Sequence, residues 1–494
     1  MTELRFIRSE DAERLPPPAN VAGARGWLRA NLFADPFNIA LSLVFGAVAL
    51  WLFWRVCDFA IVNAVWHGAT RQDCLVRPEG ACWPMVHEKM GQWIYGFYPI
   101  DQRWRVNLCF VLFAVGAVPM LAPSLPHKLP NAAYLFIVFP LVTVVLLTGG
   151  NVDLTAWSYL KLVCLISLAS VALPILAFGL EEGLRLNYMG VVAGGLAVVL
   201  WLLSFFVPEH IYSPAFPVSM WAIGVGFLSI VTGALSCLAV ITDGRGGRSI
   251  IVGATGALAA SVAAFAILDC DFGLVPVDTA QWGGLLVTLI VSVTGIVASL
   301  PLGIVLALGR RSDMPLVSGA CTTFIEVVRG VPLITVLFMS SVMLPLFLPP
   351  GVSFDKLLRA LIGVALFSSA YMAEVIRGGL QGVGKGQYEG SVALGLTYWP
   401  MMLKVVLPQA LKISIPNIVS NFISLFKDTT LVLIIGLFDL LGIVQTTLRD
   451  PNWATPASAA TGYLAVAAIY WVFCFGMSRY SAFTERRLNR AHPR

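Results

Sequence analysis

Apolar runs near 20 residues, the length a helix needs to cross a bilayer, recur along almost the whole chain with short polar breaks between them. Their spacing predicts about twelve transmembrane helices, at 37–56, 106–122, 131–149, 157–179, 188–207, 216–241, 249–268, 283–308, 331–347, 357–378, 414–446 and 460–480. A softer boundary falls near 270–282, where DCDFGLVPVDTAQW interrupts the pattern, so that seven spans precede it and five follow. The expected fold class is all-α, a polytopic integral membrane protein.

Composition agrees with the pattern. The 494 residues are 58% hydrophobic and only 12% charged, about half the charge of an ordinary soluble domain, and the mean hydropathy is +0.82. Too little charge is present to clothe a water-soluble surface. The net charge of +5 is modest and is accounted for by loop cations, so nucleic-acid binding is not implied. Residues 1–36 carry Arg5, Arg8, Arg14, Arg25 and Arg29 with acids and three consecutive prolines. That segment has no apolar core or cleavage site of a signal peptide, and reads as an arm at the cytosolic headgroups.

An even span count puts both termini on one side, and the distribution of Lys and Arg chooses it. The N-terminal side collects Lys128, Arg185, Arg245, Arg248, Arg310, Arg311, Lys385, Lys404 and the tail arginines, whereas loops 150–156, 208–215, 269–282 and 348–354 have no Lys or Arg. The long loop 57–105, with five, is the exception, and long loops obey the rule less strictly. Both termini are therefore expected in the cytosol, and the long loop 57–105 outside. Cys74 and Cys82 lie in that loop with seven residues between them, including Pro78 and Gly80. A disulfide between them is expected in an oxidising compartment, the alternative being two free thiols. Most of the other cysteines sit singly in spans as small hydrophobes. With five scattered histidines, no metal site is implied. An interfacial belt is expected to account for most of the loop aromatics Trp66, Trp83, Trp93, Tyr95, Tyr98 and Trp104.

The moderately polar stretch QYEGSVALGLTYWPMMLKVVLPQA begins at Gln387. Gln387–Leu394 has helical character, Gly395 stands where a helix stops in a left-handed residue, and Thr397 is expected to cap a second helix with Pro400 in its first turn. Pro408 is expected to interrupt that helix at the membrane surface. Gly390 and Ser391 are small enough for another protein to approach the first helix, and Glu389 supplies a fixed charge.

These residues resemble permease subunits of ABC importers. Glu389, Gly395, Val405, Leu407 and Pro408 follow the spacing of that family's cytosolic loop, with Gly390-Ser391 in place of its alanine pair and Gly384 in place of a proline. WGGLLVTL at 282–289, FIEVVRGVPLITVLF at 324–338, AYMAEVIRGGLQGVGKGQYE and LPQALKISIPNIVSNFISLFKDTTL are similar to the polar amino-acid uptake branch, in its order, over about 280–485. The additional N-terminal spans are similar to the long M-type permeases of general L-amino-acid importers.

The resemblance implies an organisation of arm 1–36, accessory membrane region 37–275, and permease domain 280–485 with a coupling loop at 379–412. It implies a bacterial inner-membrane location, two copies of an ABC ATPase that use ATP and Mg, a second permease forming a heterodimer, and a periplasmic amino-acid-binding protein. Glu389, Gly390, Ser391, Gly395, Leu407 and Pro408 would carry ATPase coupling. No phosphate-binding loop occurs in this chain, since TDGRGGRS and GVGKGQ lack its spacing, so ATP chemistry falls to a partner and no catalytic residue is expected here.

Polar residues within spans are the remaining candidates. Lys427, Asp428 and Thr429 lie in the middle of a block too long for one straight crossing, and a broken helix lining a pathway is preferred over a structural pair. Asp439 is a weaker candidate of that kind. Glu374 and Arg377, and likewise Glu326 and Arg329, are spaced to pair across a helical turn, as gate residues or as structural pairs. An ATP-independent secondary transporter or channel is the alternative function.

Overall fold

The computed structural model describes residues 26–28, 31–122, 124–126, 128–150, 272–347 and 355–489. The predicted spans at 157–179, 188–207, 216–241 and 249–268, most of the N-terminal arm and the tail beyond 489 lie outside the described residues. Within them the chain is helical, with isolated bridges and no strand. Seven helices are long and apolar enough to cross a membrane, and a bent pair makes an eighth crossing if counted as one span. The elements used below are α1 Pro36–Cys57, α2 Trp83–Tyr95, α3 Arg103–Leu121, α4 Phe139–Thr148, α5 Gly284–Arg310, α6 Pro315–Gly330, α7 Leu333–Phe338, α8 Lys356–Gly382, α9 Lys385–Ala393, α10 Leu407–Asp428, α11 Leu440–Thr447 and α12 Ser458–Asn489.

Chain contacts divide into two units, residues 1–88 with 448–464, and residues 89–447 with 465–494. The smaller unit holds most of the 57–105 loop. Two backbone bonds, Val65 N–H to Ala81 and Trp83 N–H to Val65, close it at 2.8 and 3.0 Å. Cys74 and Cys82 are joined by a disulfide with their Cα atoms 5.5 Å apart. Closing a loop this short contributes about 2–3 kcal/mol by restricting the unfolded chain. The Asp73 carboxylate accepts from the backbone N–H groups of Thr70 and Ala69 and from the Thr70 hydroxyl, and these bonds hold it below the usual carboxylate range. Trp66 stacks on Trp83 with ring centroids 5.7 Å apart, and the Thr461 hydroxyl accepts from the Cys82 N–H. Alkylation of denatured, unreduced protein followed by peptide mapping is expected to leave Cys74 and Cys82 unmodified, and prior reduction to expose both. Modification of both without reductant would refute the bridge.

In the larger unit α5, α8 and α10 form the centre. Small residues let their backbones close up, the usual solution where lipid offers no hydrophobic drive. A Cβ added at Gly303 on α5 would come within 2.7 Å of Met372 on α8, and one at Gly379 on α8 within 2.5 Å of the Ala410 carbonyl on α10. The helix start at Gly284 has φ +65°, and a side chain there would meet the Trp93 carbonyl at 2.1 Å. This contact admits only glycine.

Four expectations are corrected by the packing. Trp93 and Tyr98 are not an interfacial belt. Both are fully buried, Trp93 donating to the Thr447 hydroxyl and Tyr98 to the Leu147 carbonyl, so their polar tips are satisfied inside the protein. The predicted span 331–347 is only the second half of a bent unit: α6 and the Leu333–Leu346 segment meet at 107°, with Pro332 at the corner. Pro408 does not interrupt its helix. A π-helical turn over Met402–Val406, closed by the Leu407 N–H donating to the Met402 carbonyl, precedes the proline, and the helix continues into α10. The span thus runs from Tyr398 to Ile435; its end, earlier than the predicted 446, is set by the left-handed Gly436, and α11 is a separate element.

Candidate functional site: an exposed helix and turn

Helix α9 is short, and its exit is well defined. The Gly395 N–H donates to Val392 at 2.9 Å and the Leu396 N–H to Ser391 at 3.1 Å, with Gly395 at φ +72°. That pair of bonds is a Schellman close, in which the left-handed residue is glycine because any Cβ is penalised there. Thr397 stands at the N-cap of the next helix in extended conformation, but its side chain makes no capping hydrogen bond.

The two faces of α9 differ. Glu389 and Gly390 are exposed, and a methyl built on Gly390 or Gly395 meets nothing within 4 Å. Glu389 takes part in none of the ion pairs formed among the described residues. Around the turn Val392, Leu394 and Leu403 are exposed, Leu394 at 81%. Open glycines, an unpaired carboxylate and clustered apolar side chains are what a protein partner needs. Ser391 differs from the expectation: it is buried, with its hydroxyl donating to the Gln387 carbonyl, because successive helical residues point about 100° apart. Its small size therefore serves packing in this chain. Leu407 is also buried, while Pro408 is exposed.

Next to α9 lies a cluster of charge. Glu374 on α8 accepts from Arg377 Nε at 2.9 Å, and lies 3.5 Å from Arg310 at the end of α5 and 3.7 Å from Arg329 on α6. The sequence spacing correctly pairs Glu374 with Arg377. It does not pair Glu326 with Arg329, because Glu326 bonds to Arg310 at 2.9 Å. The network ties three helices at one end of the centre. Arg310 carried no signal in the sequence beyond its loop charge, since its partners lie far away along the chain.

The span residues are spread over two places. Lys427 is exposed and Asp428 half-buried at the last turn of α10, where the helix gives way to a 3-10 turn, Thr429–Ile435. Thr429 is buried and donates to the Phe426 carbonyl. Asp439 is fully buried and caps α11, accepting from the N–H groups of Leu441 and Gly442 at 3.1 and 2.9 Å and from the Tyr470 hydroxyl at 3.4 Å. This use as a cap accounts for an acid in an otherwise apolar stretch. Among the described residues no group of His, Cys, Asp and Glu is arranged to hold a metal.

Residues 299–490 match the family described as binding-protein-dependent transport system inner membrane component. The chain is 38% identical over 480 residues to the inner membrane amino-acid ABC transporter permease protein YhdY of Escherichia coli (strain K12), covering 96% of each. It is 39% identical over 502 residues to the glutamate/glutamine/aspartate/asparagine transport system permease protein BztC of Rhodobacter capsulatus, covering 100% of each. Among solved structures it is similar to an amino acid ABC transporter with histidines, at 30% identity and TM-score 0.37 over 41% of this chain and 92% of that one. The chain belongs to the family of inner-membrane components of binding-protein-dependent transport systems, as the permease subunit of an ABC importer and not its ATPase.

Proposed function

We propose that this permease carries L-amino acids delivered by a periplasmic binding protein, and that ATPase subunits drive it through α9 and the Gly395 turn. The observation that carries the coupling reading is the open face of α9, with Glu389 exposed and open space at Gly390 and Gly395 beside the exposed Leu394. Amino-acid cargo is supported by full-length relatives named for amino-acid transport.

In this reading both termini face the cytosol, and the disulfide-closed loop faces the periplasm. Two ATPase subunits use ATP and Mg, and a second, homologous permease completes a heterodimer. Residues 280–485 form the transport domain, with its coupling loop at 379–412. Glu389, Gly390, Gly395 and Pro408 meet the ATPase, while Ser391 and Leu407 hold the loop against its own bundle. Lys427, Asp428 and Thr429 lie at the pathway, Glu374 and Arg377 brace its inner end, and Asp439 positions α11.

The test is reconstitution. Co-expressed with the ATPase and the second permease and placed in liposomes with the binding protein, the chain is expected to accumulate at least one of a panel of labelled L-amino acids only when ATP is present. Accumulation without ATPase or ATP would favour the secondary-transporter alternative, and a panel without any accumulation would refute amino-acid cargo.

A further inference from the structure

Helix α5 ends in two adjacent arginines whose guanidinium groups take different partners. Arg310 enters the charge cluster with Glu326 and Glu374. Arg311 turns to α9, where its Nη1 donates to the Tyr388 hydroxyl at 2.9 Å and its guanidinium carbon lies 5.2 Å from the centre of the Tyr388 ring. The same hydroxyl donates to the Leu380 carbonyl in the last turn of α8 at 3.3 Å. Tyr388 is the residue immediately before Glu389. One rigid aromatic side chain therefore joins the exposed helix to the ends of two central helices.

The covalent connection is short and flanked by glycine. Only Val383, which is buried, and Gly384 separate α8 from α9, with glycines at 382 and 386 on either side, and Cβ atoms built at Gly384 and Gly386 meet nothing within 4 Å. A glycine-rich link bends easily and passes on little displacement. The far side of α9 has one comparable polar tie, Gln409 Nε2 donating to Gln387 Oε1 at 3.0 Å. A planar guanidinium held by a hydrogen bond and by a ring face keeps a fixed geometry with little side-chain freedom to lose.

We propose that Arg311 and Tyr388 form the strut that carries movement of α9 into the end of α5, and through neighbouring Arg310 into the Glu374 cluster. Both are positioning residues: they act through α9 and touch no cargo. The inference rests on the reading of α9 as the ATPase-docking helix.

The test uses the whole complex in liposomes with its binding protein, and reads three quantities: ATPase retained on purification, ATP hydrolysed, and the labelled L-amino acid that the unaltered complex accumulates best. Arg311→Gln and Tyr388→Leu are expected to retain the ATPase and to lower uptake per ATP hydrolysed about tenfold, the scale of an ordinary coupling energy between sites. Tyr388→Phe keeps the ring over the guanidinium, loses both hydrogen bonds of the hydroxyl, and is expected to lower the ratio about two- to threefold. If Arg311→Gln or Tyr388→Leu does not assemble, Arg311→Lys and Tyr388→Phe give the same ratio on a milder scale. An unchanged ratio in the assembled variants overturns the strut, and so does loss of ATPase with an unchanged ratio in the complexes that remain. Failure of the docking reading is seen separately, as ATPase binding and uptake that survive alteration of Glu389 and Gly395.

Discussion

Gly395→Val is expected to abolish uptake while leaving the protein inserted in the membrane. At φ +72° with open space around the position, the cost is conformational and not a clash. A left-handed backbone costs an L-residue about 1–2 kcal/mol, and a β-branched residue is a genuine outlier there. The turn relieves that strain by opening, and with it go the Leu396-to-Ser391 bond and the direction of the chain leaving α9. Because the turn is exposed, the helical centre is untouched. Gly395→Asn is the control: asparagine tolerates the left-handed region, so most of the uptake is expected to survive. Glu389→Lys reverses the free charge on the same face and is expected to release the ATPase. The measurements are ATP-driven uptake and ATPase retained on the purified complex. Normal transport with bound ATPase in both Gly395→Val and Glu389→Lys would sink the coupling assignment.

Lys427→Ala is expected to lower uptake more than tenfold with the complex still assembled. Leu425 lies against Gly295 in the first half of α5, which sets the level of Lys427 well inside the span. An ammonium in lipid at such depth costs roughly 2.5–3.5 kcal/mol on insertion scales, yet Lys427 is exposed in the isolated chain. Water in a pathway or a second permease relieves that cost. Asp428, half-buried beside it, is expected to give a similar loss when replaced by alanine. The decisive comparison is uptake against yield of assembled complex. Unchanged uptake with reduced yield would assign Lys427 to an intersubunit ion pair.

The difference between what could be read along the chain and what could not follows from the range of each interaction. Crossing a bilayer is a local demand on length and hydropathy, so the spans at 106–122, 283–308, 357–378 and 460–480 each overlap a helix of the structure. The left-handed turn is local as well, since the chirality of the backbone alone selects glycine at 395, and the pairing of Glu374 with Arg377 needs only one helical turn. Pro408 misleads when read locally, because a π turn at Met402–Val406 precedes it and the helix runs on through it. Trp93 and Tyr98 read as interfacial until residues at 447 and 147 bury them. Arg310 finds Glu374 across 64 residues and Arg311 finds Tyr388 across 77. A periodic pattern cannot encode such distances. Hydropathy and backbone chirality act within a few residues and are written in the sequence, whereas the partner of a long polar side chain is chosen by helix packing and is decided only in the folded chain.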